Sequence, residues 1–299
     1  MHEKQVSGNP GVNHKALART ISLVENKAPG YYEILTRLPP SPAKLIGITG
    51  APGAGKSTLT DALIEQIVSK GKTVAVVCVD PTSPFNFGAL LGDRIRMRDW
   101  YRHPGVYIRS LASRGNLGGL NPNILEITDV IKAEGFDYII VETVGVGQSE
   151  VEIAGLADLT IVVLVPESGD DIQAMKAGLM EVADIFVVNK SDRPGADIFV
   201  KNLSAMLSMS ARHHGKDIPV LQTSALHKSG TPELLETLDT MLASLRAPDK
   251  KYRLLAERAY YFIQREKMAA ISKERLYEDL KAAAPDNVYA FIKTYLHGL

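Results

Sequence analysis

The sequence predicts an α/β protein: a doubly wound, mainly parallel sheet with helical extensions at both ends. Three observations predict it. Seven short apolar runs each lead into a polar or glycine-rich turn and then into helical periodicity, the alternation that lays parallel strands beside one another with helices between. The runs Val74 to Val79 (VAVVCV) and Thr160 to Val165 (TIVVLV) are apolar on both faces, as strands covered by helices on either side must be. The alternation is also bounded, by Pro39-Pro40-Ser41-Pro42 on one side and by an all-helical pattern from about residue 249 on the other. The expected organisation is a helical N-terminal extension over 1–42, a sheet domain over 43–248 and a helical C-terminal extension over 249–299.

In chain order, residues 13 to 35 carry apolar positions at Leu17, Ile21, Leu23, Ile34 and Leu35 that suit helices. The prolines after them stop any helix or central strand. The first strand, Lys44 to Thr49, runs into Gly50-Ala51-Pro52-Gly53-Ala54-Gly55-Lys56-Ser57-Thr58, and an amphipathic stretch with Leu59, Leu63, Ile64 and Ile67 follows. This is the pattern GxxxxGKS with a strand before it and a helix after it. The glycines let backbone N–H groups turn inward, and the helix N-terminus adds partial positive charge. Lys56 is then placed to reach the β- and γ-phosphates of a nucleoside triphosphate, and Ser57 to offer a hydroxyl to Mg²⁺. A glycine-rich turn without a ligand is the plain alternative; the flanking strand and helix weigh against it.

The next strands are expected at Val74 to Val79, closed by Asp80, then at Val106 to Ile108 and at Tyr138 to Glu142. Two more follow at Leu159 to Val165 and at Ile185 to Val188. The latter ends in Asn189-Lys190-Ser191-Asp192, at the strand end where nucleotide-binding sheets place ligand-contacting loops. A carboxylate at Asp192 can accept from N1–H and the exocyclic amine of guanine, whereas adenine offers neither donor there. GTP is therefore expected over ATP. The last strand, Val220 to Gln222, leads into Thr223-Ser224-Ala225-Leu226, a turn similar to the one that backs guanine O6 with a backbone N–H in GTPases. Helices are expected at Leu254 to Met268, Lys273 to Ala283 and Asn287 to Leu296.

Composition narrows the function classes. In 299 residues, 34 Lys and Arg balance 34 Asp and Glu, so no overall positive field draws phosphate backbones or anionic lipid. Neither a nucleic acid nor a membrane surface is expected as a partner. The single cysteine, Cys78, rules out an internal disulfide, and no Cys/His spacing of the zinc type occurs. The polar start and the lack of any apolar run near the ~20 residues that span a bilayer lead to the expectation of a cytoplasmic protein.

Most GTPases carry D-x-x-G after the strand that here ends in Glu142. The run Glu142-Thr143-Val144-Gly145-Val146-Gly147-Gln148 instead resembles the G3E GTPases, and within them the MeaB/ArgK/MMAA branch, which protects and loads methylmalonyl-CoA mutase and its relatives. Matching stretches occur at Val79 to Pro84, Leu91 to Met97, Arg109 to Gly119, Glu142 to Glu150 and Gly169 to Gln173. The resemblance implies a P-loop GTPase that chaperones a coenzyme B12-dependent acyl-CoA mutase, with GTP or GDP and Mg²⁺ as ligands and a homodimer built through the C-terminal helices. It places Asp80, Asp93 and Glu142 at or near Mg²⁺ and Gly145 by the γ-phosphate. For Asp80 a strand-end turn acid, and for Asp93 a solvated loop charge, stay open beside those roles. The loop-rich segment 83–120 is implied as the first switch, and Asp170 and Lys176 as signalling residues, although Asp170 and Asp171 also suit a helix start.

Three departures qualify the match, the first being Asn86-Phe87-Gly88 where the family often has Thr-Gly-Gly. Asp93-Arg94-Ile95-Arg96-Met97 lacks a threonine that the family often carries, and Val146 stands where the Ras type has its water-orienting glutamine. Hydrolysis is accordingly expected to be slow without a partner, with Gln148 as the substitute. A nickel or other metallocentre insertase would need a His- or Cys-rich cluster, but the seven histidines are scattered. A kinase reading conflicts with Asn189 to Asp192.

Overall fold

The computed structural model describes residues 12–80, 97–114, 120–145, 149–167, 179–214, 217–244, 248–268 and 271–297. Among the described residues seven strands form one sheet: β1 Lys44–Gly50, β2 Val74–Asp80, β3 Val106–Ala112, β4 Tyr138–Glu142, β5 Leu159–Leu164, β6 Ile185–Val188 and β7 Val220–Gln222. Their order across the sheet is β3-β2-β4-β1-β5-β6-β7, and every pairing is parallel. The expectation of a mainly parallel sheet is thus met by a wholly parallel one. β3 runs four residues past the expected Ile108, through Arg109 and Ser110 to Ala112. Those polar residues break the apolar run because β3 is an edge strand and its middle is only half-buried.

The connections alternate with the strands. Helix α1 (His14–Glu25) and α2 (Tyr31–Thr36) precede β1; α3 (Lys56–Ser69) follows it. α4 (Ile124–Ala133) lies between β3 and β4, α5 (Ser149–Leu156) between β4 and β5, and the one-turn α6 (Leu179–Val182) before β6. α7 (Ala196–His214) precedes β7, and α8 (Thr231–Ser244) follows it.

Alternate residues of the central strands feed opposite faces, because side chains on a strand point up and down in turn. Ile46, Ile48, Val76, Ile140, Ile161 and Val187 pack with Leu59, Leu63 and Ile67 of α3 and Leu234, Leu235 and Leu238 of α8. On the other face, Leu45, Ala75, Val77, Ile139 and Val141 meet α1, α4 and α5 through Leu17, Ile21, Ile127, Ile131 and Ile153. Val162, Leu164 and Phe186 pack on α7 through Phe199 and Leu203. The N-terminal helix α1 therefore shares the sheet's own core.

The chain divides into two compact units, Met1–Ala247 and Pro248–Leu299. The second consists of α9 (Pro248–Met268), α10 (Lys273–Ala283) and α11 (Val288–His297). Helix α9 starts at Pro248, six residues before the expected Leu254; proline suits a first helical position, where its missing N–H is no loss. Among the described residues this unit exposes Tyr252, Tyr260, Tyr261, Ile263, Tyr277, Tyr289 and Leu296. No described helix is long and apolar enough to cross a membrane.

Candidate nucleotide site

Strand β1 sits where the chain's direction of winding reverses, flanked by β4 and β5, and ligands of open parallel sheets bind outside the carboxyl ends of strands at such a point. The loop Gly50 to Gly55 leaves β1 there and turns into α3 at Lys56. Gly55 has a φ of 89°, and a Cβ on it would strike Asn189 Nδ2, so the base-side loop needs a glycine in order to approach. Gly145 has a φ of 84°, and a Cβ there would strike Lys56 Nζ and Gly50 O. Lys56 is buried, and its Nζ donates to Gly50 O at 2.9 Å and Ala51 O at 3.2 Å. The ammonium is thereby held inside the curve of the loop, where phosphate oxygens can exchange with these carbonyls.

Glu142 ends β4, directly beside Ile48 of β1 and Cys78 of β2 in the ladder. It shares the face of Ile140, the one covered by α3, and its carboxylate reaches that helix. Ser57 Oγ donates to Oε1 at 2.6 Å, and Thr60 Oγ1 donates to Oε2 at 2.9 Å. Glu142 is 2% exposed and Ser57 6%. Asp80, 3% exposed, lies two residues beyond Cys78 on the same face of β2, past the end of β4. Two buried carboxylates and a serine hydroxyl are hard oxygen donors, the set Mg²⁺ takes. A serine hydroxyl has one proton and two lone pairs, so Ser57 can keep its bond to Glu142 while offering oxygen to a cation. The residues present fit the ion. Among the described residues no group of three or more His, Cys, Asp or Glu gathers to hold a metal.

The base side is joined to the phosphate loop by an amide and an ammonium. Asn189 Nδ2 donates to Ala54 O at 2.9 Å, while its Oδ1 accepts from Thr223 Oγ1 and Ala225 N, both at 3.1 Å. Lys190, with a φ of 57°, extends its Nζ to Gly53 O at 2.7 Å. Ser224 Oγ donates to Asp192 Oδ1, and this bond holds the Asp192 carboxyl below the usual carboxylate range. Leu226 is 77% exposed beside them. The Ala225 N–H already has a partner in Asn189, so a base oxygen at this turn would share that donor or take the next one.

Of the residues the sequence singles out, Gly50 through Thr58, Asp80, Glu142 and Gly145 thus meet at the ends of β1, β2 and β4. Asn189, Lys190, Asp192 and Ser224 through Leu226 meet at the ends of β6 and β7. Asp93, Gln148, Asp170 and Lys176 lie outside the described residues. Three contacts escape the sequence: Thr60 on Glu142, Thr223 on Asn189, and the buried hydroxyl pair Thr49 and Thr143 at 2.9 Å. Thr60 is three residues after Ser57, hence on the same helical face, a signal usable only once Glu142 is known to face α3.

Fold and phosphate loop together define a P-loop nucleoside triphosphatase. Comparison with known proteins narrows the class. The chain belongs to the family described as methylmalonyl-CoA mutase-associated GTPase MeaB, whose model matches residues 17–284. GTPase ArgK of Escherichia coli is 36% identical over 260 residues, 84% of this chain and 78% of that protein. The methylmalonic aciduria type A homolog, mitochondrial, of Caenorhabditis elegans is 37% identical over 201 residues, 64% of this chain and 50% of its own. Among solved structures, one described as LAO/AO transport system kinase is 27% identical with a TM-score of 0.64, covering 91% of this chain and 87% of that one. HypB of Helicobacter pylori, solved with nickel, shares the fold at 16% identity and a TM-score of 0.50, covering 78% and 98%.

Proposed function

We propose that the protein binds GTP with Mg²⁺, hydrolyses it slowly when alone, and acts as a chaperone and regulator of a coenzyme B12-dependent acyl-CoA mutase of the methylmalonyl-CoA type. In this role it gates cofactor loading and limits inactivation of the mutase. The observation that carries the reading is the family match across residues 17–284. The name of the Caenorhabditis elegans relative, a methylmalonic aciduria type A homolog, supports it further.

Each residue has a chemical task in this reading. The loop Gly50 to Thr58 cradles the phosphates with its N–H groups, and Lys56 stabilises charge that develops on the transferred phosphoryl group. Ser57, Asp80 and Glu142 hold Mg²⁺, with Asp93 as a further acid. Bound there, the ion neutralises charge on the phosphate oxygens. Gly145 places an N–H by the γ-phosphate, Gln148 orients the attacking water, and Asp192 reads the guanine edge between Lys190 and the Ser224 to Leu226 turn. Val146, in place of a glutamine, accounts for slow basal turnover, so a partner must complete the site. Asp170 and Lys176 carry the nucleotide state to that partner. Helices α9 to α11, with their exposed tyrosines, supply the surface for a homodimer, and the protein works in the cytoplasm.

Nickel insertion is the weaker reading, since the acids at this site are hard oxygen donors and HypB shares the fold alone. Steady-state phosphate release at saturating GTP, with and without the mutase, tests the proposal. Slow turnover alone and a clear rise with mutase, lost in Lys176→Ala at unchanged basal rate, is the expected result. Fast turnover by the isolated protein, or no response to the mutase, overturns it.

A further inference from the structure

Glu142 occupies a position where most GTPases carry the shorter aspartate, and its extra methylene has a structural counterpart. The carboxylate leaves β4 and spans two successive points of α3: Ser57 Oγ on Oε1 at 2.6 Å and Thr60 Oγ1 on Oε2 at 2.9 Å. Thr60 is fully buried. A buried carboxylate held at one oxygen can still pivot about its terminal torsion, which is broad for glutamate; one held at both oxygens cannot. We propose that Thr60 is a positioning residue of the Mg²⁺-nucleotide site, fixing the plane of the Glu142 carboxylate so that its oxygens and Ser57 Oγ keep one arrangement for the ion. This inference rests on the GTP and Mg²⁺ reading above.

The competing use of Thr60 is local. Its hydroxyl also lies 3.0 Å from Lys56 O, the back-bond that threonines inside helices commonly make. One hydroxyl proton serves two acceptors here, and the ionised one draws it more strongly, since bonds to charged groups are about twice as strong as neutral ones. A back-bond alone would need no carboxylate at 2.9 Å. The methyl of Thr60, meanwhile, lies on a helix otherwise packed by Leu59, Leu63 and Ile64, so substitutions must separate hydroxyl from methyl.

Thr60→Ser keeps the hydroxyl and drops the methyl, Thr60→Ala drops both, and Thr60→Val keeps the shape without the hydroxyl. For each full-length variant and the wild type, affinity for a nonhydrolysable GTP analogue is measured by isothermal titration, once with saturating Mg²⁺ and once in EDTA. In Mg²⁺, Thr60→Ala and Thr60→Val are expected to bind about five- to tenfold more weakly than Thr60→Ser, the size of a lost bond to a charged group. In EDTA all four proteins agree within about twofold on the same ground. Equal affinities of the alanine and serine variants in Mg²⁺ overturn the inference, as does an equal loss in Mg²⁺ and EDTA, which marks a packing role. If Thr60→Val does not fold, the alanine and serine pair decides alone. Failure of the wild type to bind the analogue, or to respond to Mg²⁺, removes the nucleotide reading itself and is told apart by that control.

Discussion

The two halves of the candidate site are built differently. On the phosphate side Lys56, Ser57, Asp80 and Glu142 are all buried; Lys56 is bonded to the loop carbonyls, and Ser57 on α3 to Glu142 on β4. On the base side Asp192 and Leu226 are exposed, and the firm element is Asn189, which holds the turn rather than facing a ligand. Burial lowers the local dielectric and preorganises charge, the condition under which a fixed lysine or acid acts most strongly on a reacting group. An exposed carboxylate instead contributes by selecting which base it accepts. The phosphate half should therefore govern rate and the Mg²⁺-dependent part of affinity, and the base half the choice of base and the affinity that goes with it.

The largest effect that would break this division is at Lys56. Lys56→Ala should lower GTP turnover on the order of 10²–10³-fold, as loss of one preorganised transition-state contact does, while thermal melting shows a folded protein. Phosphate release within a few-fold of wild type would mean the phosphate half does not govern rate. Asp192→Asn comes next, and its effect should fall on binding. Loss of the acceptor pair for guanine should weaken GTP affinity about tenfold or more, the scale of a polar group left unpaired. The amide should also admit xanthosine triphosphate, since it can donate to the carbonyl that replaces the guanine amine. Isothermal titration with GTP, XTP and ATP reads both. A change in turnover with GTP affinity intact would reverse the assignment of roles.

How far the sequence announces each half follows from how local its signals are. Gly50 to Ser57 is one contiguous run whose chemistry is complete in itself, and Asn189 to Asp192 is another, so both are legible before any fold is known. The strands were legible wherever both faces are covered, as at Val74 to Val79, and less so at β3, where an edge position lets Arg109 and Ser110 interrupt the pattern. What stays hidden are the pairings between distant segments. Thr60 has no motif of its own; it matters because β4 delivers Glu142 to the flank of α3, eighty-two residues away in the chain. The N-terminal helix gave a correct helical pattern and a correct proline stop, yet nothing in its own residues says that Leu17 and Ile21 finish the core over Leu45 and Ile139.

The smallest effect sharpens the base half alone. Ser224 Oγ donates to Asp192 Oδ1, and this bond is the leading reason the Asp192 carboxyl sits below its usual range, with the nearby charges of His227 and Arg193 acting in the same direction. Ser224→Ala removes the donor, so the carboxyl should return toward its ordinary value. Guanine binding needs the ionised form; a lowered pKa keeps that form available as pH falls, and a restored pKa forfeits it sooner. At neutral pH both proteins are ionised, so GDP affinity should drop only about two- to threefold, the modest size expected of one hydrogen bond at an exposed site. Below about pH 5 the variant should weaken earlier than the wild type, its fall beginning nearer the ordinary aspartate value of about 4. Fluorescence of Trp100, the single tryptophan, checks that both proteins stay folded while GDP titrations are run at each pH. Coincident acid profiles for the two proteins would show that Asp192 does not carry the base contact, and the exposed half of the site would then owe its selectivity to the backbone of the Ser224 to Leu226 turn.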